Sequence, residues 1–138
     1  FQTMIRDFAS VVPLEKLTIL FGMYGYDWTL GPQGLPLKAA KAIPLKEIEE
    51  WYIDCNDIVI PDVIWNPEKK SESPIGVGDD RCAVYSDKST KEKRIEYIDG
   101  DGFNHVLWYE DEESVEVKID YLMEQGVGSV GYWVWGYF

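Results

Sequence analysis

The chain has 138 residues, 46% of them hydrophobic, enough for one domain with a sizeable core and too apolar for a disordered segment. Thirteen basic residues stand against 25 acidic ones, a formal charge of −12, which argues against nucleic acid or an anionic membrane surface as partner and leaves a neutral ligand open.

The opening "FQTMIRDFASVVP" spaces Phe1, Met4, Ile5, Phe8 and Val12 three or four residues apart, a helix already under way that Pro13 stops. "KLTILFGMYGYDW" is next, a run of β-branched and aromatic residues that reads as a buried strand with Tyr24, Tyr26, Asp27 and Trp28 at its C-terminal end. "GPQG" and "LP" supply turn chemistry between Gly31 and Pro36. A helix then follows, with Pro44 in its first turn and Leu45, Ile48, Trp51, Tyr52 and Cys55 along one face. From Asn56 to Lys93 the pattern weakens: "NPEKKSESP" is loop-like and "RCAVYS" a short strand. In "KRIEYIDGDGFNHVLWYED" two β-rich runs flank "DGDG", a hairpin signal. "EDEESVEVKIDYLMEQG" opens with acidic residues, carries Val115, Ile119, Leu122 and Met123 on one side and ends at Gly126, as a helix should. The closing "VGSVGYWVWGYF" puts Trp133 and Trp135 on one face of a strand and Val130, Tyr132 and Val134 on the other, a pattern for a strand covered on both sides. With both ends abrupt, the expectation is an excerpt from a longer polypeptide.

Asn104 to Gly136 thus read as strand, helix, strand with short connections, a parallel β-α-β unit. The opening helix and strand form another half-unit, and about 60 residues between them are too many for an ordinary connection. The expected fold class is α/β: the C-terminal portion of a (β/α)8 TIM barrel, made of residues 1–30 and 94–138, with an inserted α+β subdomain over residues 31–93.

Barrel active sites gather where strands end, which here means Tyr24, Tyr26, Asp27 and Trp28, then Trp108, Tyr109, Glu110 and Asp111, then Trp133 and Trp135. Aromatic faces with a few carboxylates suit sugars, because pyranose C–H faces stack on rings while hydroxyls need directional partners. The competing reading makes Trp133 and Trp135 core filling.

The segments "LFGMYGYDWTL", "YIDGDGFNHVLWYEDEESVEVK" and "GVGSVGYWVWG" resemble, in order, the sixth, seventh and eighth barrel-strand regions of glycoside hydrolase family 18, in its bacterial spore-cortex and cell-wall N-acetylglucosaminidase or chitinase-like branch. The shared patterns are Y-G-Y-D-W, H-x-V-W-[YF]-E-D-x-x-S-x-x-x-K and a final G-x-x-Y-W; His105, Val106, Trp108, Tyr109, Glu110, Asp111, Ser114 and Lys118 match the second, with Leu107 at its variable place. The resemblance covers roughly the first 30 and the last 45 residues. It implies a glycosidase acting on β-1,4-linked N-acetylglucosamine glycans, peptidoglycan or chitin, in the wall, the spore surface or the medium. It also implies substrate contacts from Tyr24, Tyr26, Asp27, Trp28, Trp108, Tyr109, Glu110 and Trp133: Trp133 as the floor under the sugar at the cleavage point, Tyr24 positioning the N-acetyl group, Trp135 packing beyond the rim. The family's acid closes a D-x-x-D-x-D-x-E octet that these residues do not contain, so no catalytic residue is assigned here. A non-catalytic sugar-binding relative is the alternative.

Other chemistries fit less well. Asp99, Asp101 and Glu110 take positions 1, 3 and 12 of a calcium loop, but Phe103 and Asn104 fill positions 5 and 6, where a ligand and a glycine belong. His105, the only histidine, lacks a nucleophile beside it and reads as a strand residue bonded to backbone. "GVGDD" has neither the lysine nor the helix of a phosphate loop. Cys55 and Cys82 form no metal-ligand cluster; a disulfide between them stays open, with unpaired thiols the favoured expectation. No cofactor or metal is implied. The partner is a glycan, neither nucleic acid nor membrane, and uncovered strand edges should lead the isolated chain to self-associate.

Overall fold

The computed structural model describes residues 1–52, 59–60, 82–88, 90–99 and 101–133, leaving aside the side chains of 51, 52, 59 and 60. Expectations for the side chains of Trp51 and Tyr52, for Cys55, Val134 and Trp135, and for "NPEKKSESP" lie outside what is described. The elements are α1 (Gln2–Ala9), a 3-10 turn (Leu14–Lys16), β1 (Thr18–Gly22), β2 (Tyr24–Leu30), β3 (Lys41–Pro44), α2 (Leu45–Tyr52), β4 (Val59–Ile60), β5 (Cys82–Ser86), β6 (Lys93–Ile98), β7 (Asn104–Tyr109), α3 (Glu112–Gln125) and β8 (Ser129–Trp133).

They form two sheets. β1 and β8 pair in parallel from Thr18↔Ser129 to Gly22↔Trp133. The other sheet has the order β3-β2-β7-β6-β5-β4 and is antiparallel except for the β4–β5 pair. The expected strand "KLTILFGMYGYDW" is therefore two. At Met23 the chain leaves one sheet for the other: the Met23 amide donates to the Trp133 carbonyl, and the Met23 carbonyl accepts from the Leu45 amide.

The pairing corrects the sequence reading of β7. It is not in the sheet of the closing strand; it runs antiparallel between β2 and β6. Hydrogen-bonded neighbours in a barrel are consecutive strands, so the consecutive pair is β1 and β8, and the six-stranded sheet reaches past residues 31–93 to take in β2 and β7.

Each sheet has its own core. Around the parallel pair, Ile5 of α1, Phe21 of β1, and Val115 and Leu122 of α3 are buried together, with Ile19, Ile119 and Val127 against them. On the larger sheet, Ile48 of α2 packs on Ile43, Val84, Ile95 and Leu107. Leu107 is fully buried, and truncating such a side chain to alanine costs about 2–5 kcal/mol. The expected apolar faces of α1 and α3 are only partly covered: Phe1, Met4, Phe8 and Met123 are exposed. α3 begins where its sequence promised, because Asp111 accepts from the Ser114 amide at 2.9 Å while the Ser114 hydroxyl accepts from the Asp111 amide at 3.0 Å. It ends at Gly126, whose φ of 79° needs a residue without a Cβ. Cys82 is disulfide-bonded, which corrects the expectation of unpaired thiols.

Candidate functional site

Strand alternation sorts the residues of β2. Tyr24, Tyr26 and Trp28 point to one face, and Gly25, Asp27 and Thr29 are buried on the other. The three rings form a row: Tyr24 meets Tyr26 edge-on with centroids 5.4 Å apart, and Tyr26 meets Trp28 at 5.8 Å and 48°. Tyr26 is 44% exposed, so the row faces outward. Antiparallel register sets Trp108 of β7 directly beside Tyr26, on the same face. At the other end the Tyr24 ring lies over Gly22, where a Cβ would come within 2.8 Å of it. Gly22 is in register with Trp133, which is 59% exposed at the C-terminal end of β8. Five of the expected sugar contacts, Trp133, Tyr24, Tyr26, Trp28 and Trp108, thus share one continuous surface around the corner at Met23.

Asp27 is placed elsewhere. It is 8% exposed on the hidden face, where both carboxylate oxygens lie 3.0–3.1 Å from His105 Nδ1 and the Tyr97 hydroxyl donates to Oδ2 at 3.0 Å. His105 Nε2 lies 3.1 Å from Asp99, and the Tyr97 ring stacks on the imidazole at 4.6 Å. His105 is therefore held by two carboxylates, not by backbone as expected from its place in a strand. Asp99 also accepts from the Phe103 and Asp101 amides, and these bonds, with that from His105, hold its carboxyl below the usual range. The network ties β2, β6 and β7 together beneath the aromatic row.

Tyr109 and Glu110 also turn away. Tyr109 packs against the larger core, and burial pushes its phenol up to about 12, with Asp111 and Glu49 adding to the shift. Glu110 pairs with Lys118 at 2.9 Å, and Lys118 reaches Glu92 at 3.1 Å. The E-D-x-x-S-x-x-x-K spacing is thereby explained without a ligand: Asp111 and Ser114 cap α3, and Lys118, one turn on, neutralises Glu110. Lys93 fastens β6 to the same helix start through Glu113 at 2.8 Å and Asp111 at 3.5 Å.

Nothing in the sequence spacing singled out Tyr85, Arg94 and Glu96, which continue across the sheet on the face that carries Trp108. Arg94 bonds Glu96 at 3.0 Å, and burial pushes the Tyr85 phenol up to about 12. An arginine and a glutamate two apart in an apolar strand were the available signal, since side chains at i and i+2 share a face. Among the described residues no cluster of His, Cys, Asp and Glu could hold a metal ion, and no helix is long and apolar enough to cross a membrane.

The resemblance noted in the sequence holds across the chain. Residues 2–137 match the model of Glycosyl hydrolases family 18, and the chain belongs to that family. A search of curated proteins finds no match. Among solved structures, the spore cortex-lytic enzyme SleL of Bacillus cereus aligns with a TM-score of 0.66 at 24% identity, over 97% of this chain and 26% of that one. A family 18 N-acetylglucosaminidase from Paenibacillus barengoltzii gives 0.66 at 20% identity, over 99% and 34%. A mutant family 18 chitinase from Cycas revoluta in complex with (GlcNAc)4 gives 0.62 at 21%, over 94% and 31%. The chain spans about a quarter to a third of each of these structures. The fold is the C-terminal portion of a (β/α)8 barrel with an inserted α+β subdomain.

Proposed function

We propose that the whole protein is a glycoside hydrolase of β-1,4-linked N-acetylglucosamine glycans, in peptidoglycan or chitin, acting outside the cell in the wall, spore surface or medium, and that this chain supplies its aromatic sugar-binding wall. The observation that carries this reading is the outward row of Tyr24, Tyr26 and Trp28, flanked by Trp108 and leading to the exposed Trp133. Exposed rings in a row are an unfavourable use of apolar surface unless something stacks on them, and sugar rings do so through their C–H faces. The solved structures named above support it: they are a cortex-lytic enzyme, an N-acetylglucosaminidase and a chitinase holding (GlcNAc)4.

Trp133 is the floor and Tyr24 the neighbour that orients the N-acetyl group. The test is Trp133→Ala and Tyr26→Ala in the full protein, with thermal midpoint and N-acetylglucosamine oligomer binding measured together. Each should cost about 1–3 kcal/mol of binding and little stability, because both rings are well exposed. Folded variants that bind as before would overturn the reading. Unimpaired binding in the parent with no hydrolysis would instead favour a sugar-binding relative that lost the acid. The outer edges of β1 and β8 have no partner strand among the described residues, so the chain by itself should associate through them, which light scattering at rising concentration would reveal.

A further inference from the structure

Tyr26, Trp108, Arg94 and Tyr85 occupy successive register positions on β2, β7, β6 and β5. Directly paired residues share a face, so the four side chains stand in line across the sheet, meeting the Tyr24–Tyr26–Trp28 row at Tyr26. The Arg94 guanidinium carbon lies 4.5 Å from the centre of the Tyr85 ring and 5.6 Å from that of Trp108, both within cation–π reach. Its Nη2 also bonds Glu96 at 3.0 Å, and Arg94 is only 4% exposed. Charge this deep is costly to desolvate, and a buried ion pair commonly gives no more stability than apolar side chains of the same volume. Stability alone is therefore a poor account of an arginine here. What a guanidinium adds is a rigid plane whose orientation is fixed by its carboxylate partner and which can lie against rings on two sides.

We propose that Arg94 is a positioning residue for sugar binding: anchored by Glu96 and backed by Tyr85, it holds the Trp108 indole beside Tyr26, so that the sugar-contacting surface turns at Tyr26 and runs across the sheet to Trp108. This rests on the glycan reading above and adds to it a second direction of binding surface, with the buried residue that sets it. Arg94 itself does not touch the ligand. A glycan long enough to reach Trp108 feels the clamp, and a short one seated near Trp133 does not.

The test uses the full protein with the β-1,4-linked N-acetylglucosamine disaccharide and hexasaccharide as probes, under conditions where hydrolysis is negligible. Arg94→Lys keeps a charge for Glu96 but loses the flat stack. It should leave disaccharide affinity unchanged and weaken the hexasaccharide roughly three- to tenfold. It should also shift or broaden the Trp108 indole N–H resonance, identified by its loss in Trp108→Ala. In the Trp108→Ala background, Arg94→Lys should have no further effect on the hexasaccharide, since non-additivity marks residues that act as one unit. If Arg94→Lys does not fold, the pair Arg94→Met with Glu96→Gln removes both charges together and should give the same pattern. A lowered thermal midpoint with the indole resonance and the hexasaccharide-to-disaccharide ratio both unmoved would overturn the proposal, as would additive effects of the two substitutions. If Trp108→Ala changes neither affinity, the glycan reading itself fails at Trp108 and the proposal falls with it; a moved indole resonance in Arg94→Lys would then show that the failure lies in the ligand and not in the clamp.

Discussion

Gly25 separates Tyr24 from Tyr26 and faces the opposite side of β2, so replacing it by alanine changes nothing on the aromatic surface directly. A Cβ at this position would lie 2.7 Å from the Trp108 carbonyl oxygen and 2.9 Å from both Ile48 Cδ1 and Leu107 Cδ1. The two methyls belong to fully packed core residues, and the oxygen belongs to the backbone of the paired strand, so no flexible side-chain end can swing aside. A methyl needs about 3.5–4 Å from its neighbours, so β2, β7 and α2 must move apart by something under an ångström each. Overpacking of this kind costs about 1–3 kcal/mol, which for a chain of this length lowers the thermal midpoint by about 3–10 °C. Scanning calorimetry of Gly25→Ala beside Gly34→Ala is the assay. At Gly34 the space is open and the φ of 72° alone opposes the change, so the loss should stay near 1 kcal/mol. A Gly25→Ala midpoint within a degree of the parent, or a loss at Gly34 larger than at Gly25, would refute the claim that the sheet is closed against α2 at this point.

Asp111→Ala removes one arm of the capping box and should cost about 1 kcal/mol, visible as a lower denaturant midpoint with an unchanged slope. Lys118→Met leaves Glu110, and in part Glu92, without its cation; it should cost about 1–3 kcal/mol at neutral pH, as urea unfolding would show. The Tyr85 and Tyr109 phenols, pushed up to about 12 by burial, are neutral in the folded state at a pH where an unfolded tyrosine ionises near 10. Their contribution is complete below about pH 10 and is lost as the pH rises towards 12, so ultraviolet titration should show two tyrosines ionising late and together with unfolding.

The units with local signals were readable. The acidic start and glycine stop of α3, the DGDG hairpin and the short strand at Cys82 all follow from side chains within a few residues of the feature they set. Partner choice was not local. "NHVLWY" is apolar on both faces, which suits a barrel strand, but a central strand of an antiparallel sheet has the same needs once Leu107 faces α2 and its core on one side and Trp108 stands beside Arg94 on the other. Two-sided burial reports only that a strand is central, not which way its neighbours run. The break at Met23 was hidden for a similar reason: the run keeps its strand character straight through the corner, and only the bonds from Trp133 and Leu45 reveal the change of sheet. On the candidate site, the sequence reading took Tyr24, Tyr26, Asp27 and Trp28 together as one strand end, whereas strand alternation puts only the three rings on one surface. The same rule, applied to Asp27 and Tyr109, would have separated them from it.

The chain enters the larger sheet through β2 and leaves it through β7, and these two strands are hydrogen-bonded to each other from Tyr26↔Trp108 to Leu30↔Asn104. Entry and exit are thus side by side, so everything between them hangs from the barrel unit as a closed loop. Insertions or deletions within that loop need not change the distance between β1 and α3, and a barrel of this kind can exchange the whole appendage for a longer, shorter or differently surfaced one while its own strands stay in place. The rings of Tyr24, Tyr26, Trp28 and Trp108 stand on the two strands that carry this appendage, whereas Trp133 stands on a strand of the barrel unit itself.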